Sequence, residues 1–253
     1  MRILVAIPVY NEQQTVRSVV EHVRHHADHV LLIDDGSTDD TASEIGLVRG
    51  RLGIDVIRHE DNQGYGRSLR NAFDRGIANG YDWVISMDCD EQHEPDELPA
   101  FFNLIAGDHA DIISGSRYLD HSIESDGDAP ASRREINKLV TDELNRRLGM
   151  RLTDGFCGFK AHRVETLKKL NLTEDGYAFP MQLWAQAAAM RLRVCEIPVK
   201  LIYNDPHRSF GGDLDDASIR LAHYRHVLHC ELRRWRDRLP EPAWQDVRCP
   251  CPG

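Results

Sequence analysis

Short apolar runs that stop abruptly in polar residues constrain this chain more than any other feature. Ile3 to Ile7, Val30 to Ile33, Ile54 to Ile57, Val84 to Met87 and the pair Ile112 and Ile113 are too brief for helices. Runs of this kind suit strands buried on both faces. Between them the spacing turns helical: Val16, Val19, Val20 and Val23 mark one inner face, and a second helix is expected from the NQGYG stretch (62–66) to about Asn79, stopped by Gly80. Strand and helix alternate, which predicts an α/β domain with a mostly parallel central sheet and helices on both faces. Ligands of such sheets bind beyond the carboxyl ends of the strands. PVYNE (8–12), DDGS (34–37), DCDEQ (88–92) and GSR (115–117) each follow a strand, so they are expected to gather on one rim.

The richest of these is WVISMDCDEQHEPDE (83–97). Asp88 and Asp90 are two apart, so continued strand geometry would send both carboxylates from one face, and Gln92 adds a neutral oxygen at the same spacing. Magnesium or manganese takes one or two carboxylates and completes its shell with substrate phosphate. The plain alternative is that these are solvated acids ending a strand, and a lone D-x-D does not decide between the two.

The totals narrow the classes. A chain of 253 residues can bury a large core, and a net charge of −10 argues against a general nucleic-acid binder. Six scattered cysteines and no secretory leader fit a cytoplasmic protein with reduced thiols, and the Cys249-Pro-Cys251 end reads as a frayed tail. No apolar run approaches the ~20 residues that cross a bilayer. HSIESDGDAPA (121–131) reads as a solvated loop, Arg133 to Leu148 as a helix, TDGFCGFK (153–160) as a turn and strand, and Val194 to Leu201 as a strand. Leu214, Leu221, Leu228 and Trp235 recur every seventh residue in an Arg- and His-rich stretch. That stripe packs on the core or on a twin subunit, or else lies on an anionic membrane surface.

The motifs IPVYNE (7–12), IDDGSTDDT (33–41), NQGYGRSLR (62–70), MDCDEQHEP (87–95), GSRY (115–118), TDGFCGFK (153–160) and EIPV (196–199) together resemble the family 2 glycosyltransferases of GT-A fold. Within them the chain looks most like the polyprenyl-phosphate (dolichyl-phosphate) mannosyltransferases. The resemblance implies a GT-A domain over 1–212, with a donor half to about 118 and an acceptor half from about 119. An amphipathic helix (213–239) and a tail (240–253) would follow. It implies an inverting transferase that uses Mg2+ or Mn2+ and a nucleotide-diphosphate sugar, with a polyprenyl phosphate or another glycan or lipid as acceptor. Pro8, Tyr10, Glu12 and Asp35 would hold base and ribose, and Asp88 would face ribose, sugar or metal. Asp90 and Gln92 would be metal ligands, Arg70 and Arg117 would meet phosphates, and Asp154 would be the acid nearest the acceptor.

Elementary chemistry leaves the role of Asp154 open. A sugar hydroxyl must lose a proton, so a positioned carboxylate would matter greatly. A phosphate monoester, with a second pKa of about 6, is already anionic at neutral pH, and Asp154 would then orient the acceptor or balance nearby arginines. As a turn acid it would instead cap its own backbone. Arg117, Arg133, Arg134, Lys160, Arg163 and Arg208 are candidate anion grips. The sequence departs from the mannosyltransferase pattern at Gln182, where an acid is usual, and at Tyr65, where Lys or Arg is common. GDP-mannose is the expected donor, with a UDP-glucose-type donor or a soluble acceptor as the alternative. The competing classes are a nucleotide-sugar-binding module without activity and a nucleotidyltransferase.

Overall fold

The computed structural model describes residues 1–120, 130–202 and 211–247. Seven strands form one sheet: β1 (Ile3–Val9), β2 (Val30–Asp34), β3 (Asp55–Arg58), β4 (Trp83–Ser86), β5 (Ile112–Ser116), β6 (Lys160–Arg163) and β7 (Val194–Pro198). Their order is β3-β2-β1-β4-β6-β5-β7, and every pairing is parallel except the two made by β6. The sheet is therefore mostly parallel, as the runs predict.

Alternate residues of a strand leave opposite faces, and here both faces are covered. Val5, Ile7 and Leu32 join Val16, Val20, Val48 and Phe101 of helices α1 (Val16–His26), α2 (Thr41–Leu52) and α4 (Leu98–Ala106). Leu4, Ala6, Leu31 and Ile33 turn the other way, toward α3 (Tyr65–Ala78), α5 (Ala131–Leu148), α6 (Val164–Leu167), α7 (Phe179–Ala189) and α8 (Ala217–Arg234). Two apolar layers on one sheet explain why the central runs carry no polar alternation.

Helix α8 packs on α7 and α5 of its own chain through Tyr224, Leu228 and Leu232, so the stripe meets the core. That face also buries ions. Glu231 accepts from Gln182 and Gln186 Nε2 at 2.9 Å each and from Trp235 Nε1 at 3.0 Å. Glu143 of α5 accepts from Arg147 and Arg225, both at 2.9 Å. Arg147 reaches on to Asp246 at 2.7 Å, and Ala243 and Val247 are buried. Residues 240–247 are thus docked against α5. Cys89, Cys157 and Cys195 are free thiols, whereas Cys230 is disulfide-bonded, which corrects the expectation of reduced thiols at that residue. Cys249 and Cys251 lie outside the described residues, as does most of the 121–131 loop.

Candidate functional site

All parallel strands end on one rim, and the motifs meet there. Val9 of β1 stands beside Asp34 of β2, and the Asp35 N–H donates to Val9 O at 2.8 Å. The two loops are stitched together: Asn11 N donates to Ser37 Oγ at 3.0 Å, Thr38 N to Asn11 Oδ1 at 2.8 Å, and Glu12 N to Thr41 Oγ1 at 2.8 Å. Pro8 is half-buried, while Tyr10 is 44% exposed.

Asp35 works inward. Its oxygens accept Gln63 N and Gly64 N at 2.9 Å each, and Oδ1 lies 2.5 Å from His59 Nδ1. Asn71 Nδ2 sits 2.7 Å from His59 Nε2. An amide nitrogen can only donate, so the His59 proton is on Nδ1 and points at Asp35. Asp35 therefore holds the 62–66 loop in place. Its neighbour Asp34 accepts Ser37 N at 2.9 Å through Oδ1. Asp34 Oδ2 is buried without a hydrogen bond, although Arg58 Nε stands 3.4 Å away. We read that approach as charge proximity alone, since its geometry misses a bond.

The positioned loop delivers Tyr65 to the acidic motif: its hydroxyl donates to Asp88 Oδ1 at 3.0 Å. Burial, then the Asp88 charge, raises the Tyr65 phenol well above its ordinary value, so it stays a donor. Tyr177 stacks on the Tyr65 ring with centroids 6.0 Å apart. The residue that departs from the family pattern is thus a contact of the first aspartate. Behind it, the Asp88 N–H donates to His93 Nδ1 at 3.0 Å, and Gln92 N donates to Asp90 Oδ1 at 3.1 Å. Asp90 is buried, and Asp88 and Gln92 are half-buried. Among the described residues no three His, Cys, Asp or Glu side chains converge as a ready cage. The donor set is two carboxylates and an amide, all hard oxygen. It fits a magnesium or manganese ion that relies on substrate phosphate for the rest of its shell.

Gly158 presses on this motif. A Cβ there would stand 2.3 Å from Asp88 Oδ2 and 2.7 Å from the Tyr65 hydroxyl. Ser86 Oγ fixes the approach by donating to Gly158 O at 2.7 Å. Gly158→Ala should displace Asp88 and cost activity about 100-fold, by analogy with lost support around metal ligands. The melting temperature should shift far less, and thermal melts beside initial rates check the contrast.

Asp154 and Arg117 form the second half of the site. The TDG turn is tied down by Glu196 of the EIPV motif, which accepts Thr153 N at 2.8 Å and Asp154 N at 3.0 Å. The Asp154 side chain is fully buried. Arg117 grips it with two nitrogens at 2.7 and 3.0 Å, and Phe156 N and Cys157 N donate to Oδ1 at 3.0 and 3.1 Å. Burial alone would raise this carboxyl, but the Arg117 charge and hydrogen bonds override it and hold it at about 2. Asp154 thus caps its turn and balances Arg117 together. Lys160, also buried, donates to Cys157 O, and burial lowers its ammonium pKa.

Other expected grips stand elsewhere. Arg70 pairs with Asp175, which carries the 62–66 loop's neighbouring turn, and its Nη1 donates to Thr173 O at 3.4 Å. Arg163 is at the opposite edge beside Trp83, because β6 runs antiparallel and carries its end away from the rim. There it pairs with Asp108 and Asp111. Arg133 is half-buried in the first turn of α5, and Arg208 lies outside the described residues. Gln182 is in the core, accepting Thr173 N and Glu174 N at 2.6 and 2.9 Å, and its Nε2 donates to Glu231 at 2.9 Å, a bond an ionised acid could not make.

Two buried histidines set an acid limit on stability. Burial pushes His93 down to about 4 and His162 down to about 3. Both ordinarily titrate near 6.5, so the unfolded chain binds more protons below that pH. Their contribution is present above pH 6.5 and is lost as pH falls toward 4. Glu97 opposes them: burial pushes it up to about 7, so its contribution is lost as pH rises through 7. Two groups outweigh one. Denaturant unfolding at pH 7 and pH 5 should show a net loss on the order of 2 kcal/mol at the lower pH; unchanged stability would refute the assignment.

The sheet order and rim are of GT-A type. Glucosyl-3-phosphoglycerate synthase from Mycobacterium tuberculosis, in complex with Mn2+, UDP and glucosyl-3-phosphoglycerate, superposes with a TM-score of 0.65 over 94% of this chain and 81% of that one, at 21% identity. The family model for glycosyl transferase family 2 matches residues 4–170, and the chain belongs to that family of enzymes. The polyprenol monophosphomannose synthase of Mycolicibacterium smegmatis is 30% identical over 234 residues, which is 88% of this chain and 86% of that protein. The undecaprenyl-phosphate mannosyltransferase of Micrococcus luteus is 27% identical, over 88% of this chain and 94% of that one.

Proposed function

We propose that this glycosyltransferase moves mannose from GDP-mannose to a polyprenyl phosphate, with inversion at the anomeric carbon. The burial and charge pairing of Asp154 carry the acceptor half of this reading. A carboxylate held at about 2, with its side chain fully buried behind Arg117, is a poor base for a neutral hydroxyl. A phosphate acceptor needs no base, because it arrives as an anion. Arg117 then faces acceptor phosphate with Asp154 fixing its fork, and Arg133 adds charge from the acceptor side.

On the donor side, the stitched 8–12 and 34–37 loops receive base and ribose at Pro8, Tyr10 and Glu12. Asp35 acts by holding the 62–66 loop, and Arg70 acts through the Asp175 turn beside it. Asp88, Asp90 and Gln92 would hold Mg2+ or Mn2+, which supplies charge stabilisation to the departing nucleoside diphosphate. Tyr65 aims Asp88 by donating its hydroxyl to Oδ1. No described helix is long and apolar enough to cross a membrane. A polyprenyl acceptor would be met peripherally at the cytoplasmic membrane face.

A UDP-glucose-type donor is the second reading, supported by the UDP-bound fold neighbour. Labelled GDP-mannose and UDP-glucose, each offered undecaprenyl phosphate or undecaprenol with Mn2+, separate the possibilities. Transfer from GDP-mannose to the phosphate and none to the alcohol is expected; equal transfer to the alcohol would overturn the anionic-acceptor argument.

A further inference from the structure

We infer that His93 is a positioning residue for the divalent-cation site, setting Asp88 through its backbone rather than its carboxylate. The inference rests on the metal-dependent reading above. The last sheet bond of this motif is Met87 N to Ala6 O, at 3.1 Å. Asp88 N, one residue on, donates to His93 Nδ1 instead. The chain reaches His93 through a tight reversal with Glu91 in the left-handed region at φ 58, so the imidazole closes the loop that carries Asp88, Asp90 and Gln92. The ring itself is held. It is 3% exposed and packs on Phe159 with centroids 5.2 Å apart, and Phe159 stacks on Phe101 at 4.4 Å.

The tautomer follows from the geometry. A backbone N–H can only donate, so Nδ1 is bare and the ring proton is on Nε2, where Cys157 Sγ stands 3.7 Å away. A lone pair committed to the Asp88 amide leaves this histidine neither a metal ligand nor a base. Its closest approach to the carboxylate is 3.8 Å, from Nδ1 to Asp88 Oδ2. Outer partners that orient metal ligands are commonly worth 10–100-fold in metal affinity.

The test compares two amides of similar polarity. In His93→Asn the side-chain oxygen reaches the region of Nδ1, whereas in His93→Gln the amide extends toward Nε2. Mn2+ binding to the full chain is titrated by electron paramagnetic resonance with GDP or UDP present, and nucleotide binding is measured separately without metal. His93→Asn should hold Mn2+ within about 3-fold of wild type, and His93→Gln should weaken it at least 10-fold with metal-free nucleotide affinity unchanged. Equal Mn2+ affinity in the two variants, or a matching fall in nucleotide affinity, overturns the inference alone. Absence of Mn2+ binding by the wild type overturns the metal-dependent reading as well. Ring 15N shifts of wild-type His93 give an arm that does not depend on the variants folding: a proton on Nδ1 would sink the proposal.

Discussion

Asp90→Ala should lower glycosyl transfer by about 1,000-fold or more while leaving the melting temperature within a few degrees of wild type. The size follows from what the pair of carboxylates is asked to do. As the sugar departs, charge develops on the diphosphate, and a bound cation stabilises that charge by several kcal/mol. Each ~1.4 kcal/mol is a factor of ten in rate, so losing about 4 kcal/mol gives the stated fall. Asp90 sits past the end of β4 in the 88–92 turn, outside the strand ladder, and its Oδ1 accepts the local Gln92 N. Removing it therefore takes little from the sheet. Asp90→Asn should fall nearly as far, because a neutral amide keeps the shape but not the charge. Rates across a Mn2+ titration, paired with thermal melts, decide it: activity within 10-fold of wild type at saturating Mn2+ would remove Asp90 from the metal site.

The rim was readable in the sequence because the information for it is local. Apolar runs buried on two faces announce strands, and parallel strands put their following loops on one side. What the sequence hid depends on pairing across distance. Nothing in KAHR (160–163) marks β6 as antiparallel, so Arg163 looked like an anion grip when its strand direction carries it to the far edge. Arg70 reads as a phosphate residue until Asp175, 105 positions away, is found beside it. His93 carries no signal at all, since a histidine after D-x-D is as readily a surface residue as the acceptor of a backbone N–H. Tyr65 was visible only as a departure from a pattern, and the contact with Asp88 gives that departure a purpose.

Arg117→Ala should be the most damaging single change to stability. Asp154 has no exposed side-chain surface, and Arg117 is its only cationic hydrogen-bond partner among the described residues. Truncating the arginine leaves a buried carboxylate with three backbone N–H donors, those of residues 117, 156 and 157, and the Lys160 charge nearby. Breaking one side of a buried pair typically costs 3–5 kcal/mol, because the survivor keeps its desolvation without its partner. The variant should therefore melt well below wild type, and Asp154 should titrate upward toward and beyond its ordinary range. The sign follows: Asp154 stabilises the wild type above its unfolded pKa of 3.8, and that stability is lost only as pH falls toward 2. In Arg117→Ala the raised carboxyl would reverse the sign of this group's contribution, so the variant should lose less stability than the wild type on mild acidification, the losses from His93 and His162 being common to both. The double variant Arg117→Ala/Asp154→Asn should recover much of the loss by removing the orphaned charge, yet remain inactive toward a phosphate acceptor. Denaturant unfolding of the wild type, Arg117→Ala, Asp154→Asn and the double variant measures the coupling directly. If the double variant is no more stable than Arg117→Ala, the uncompensated charge is not what the arginine relieves.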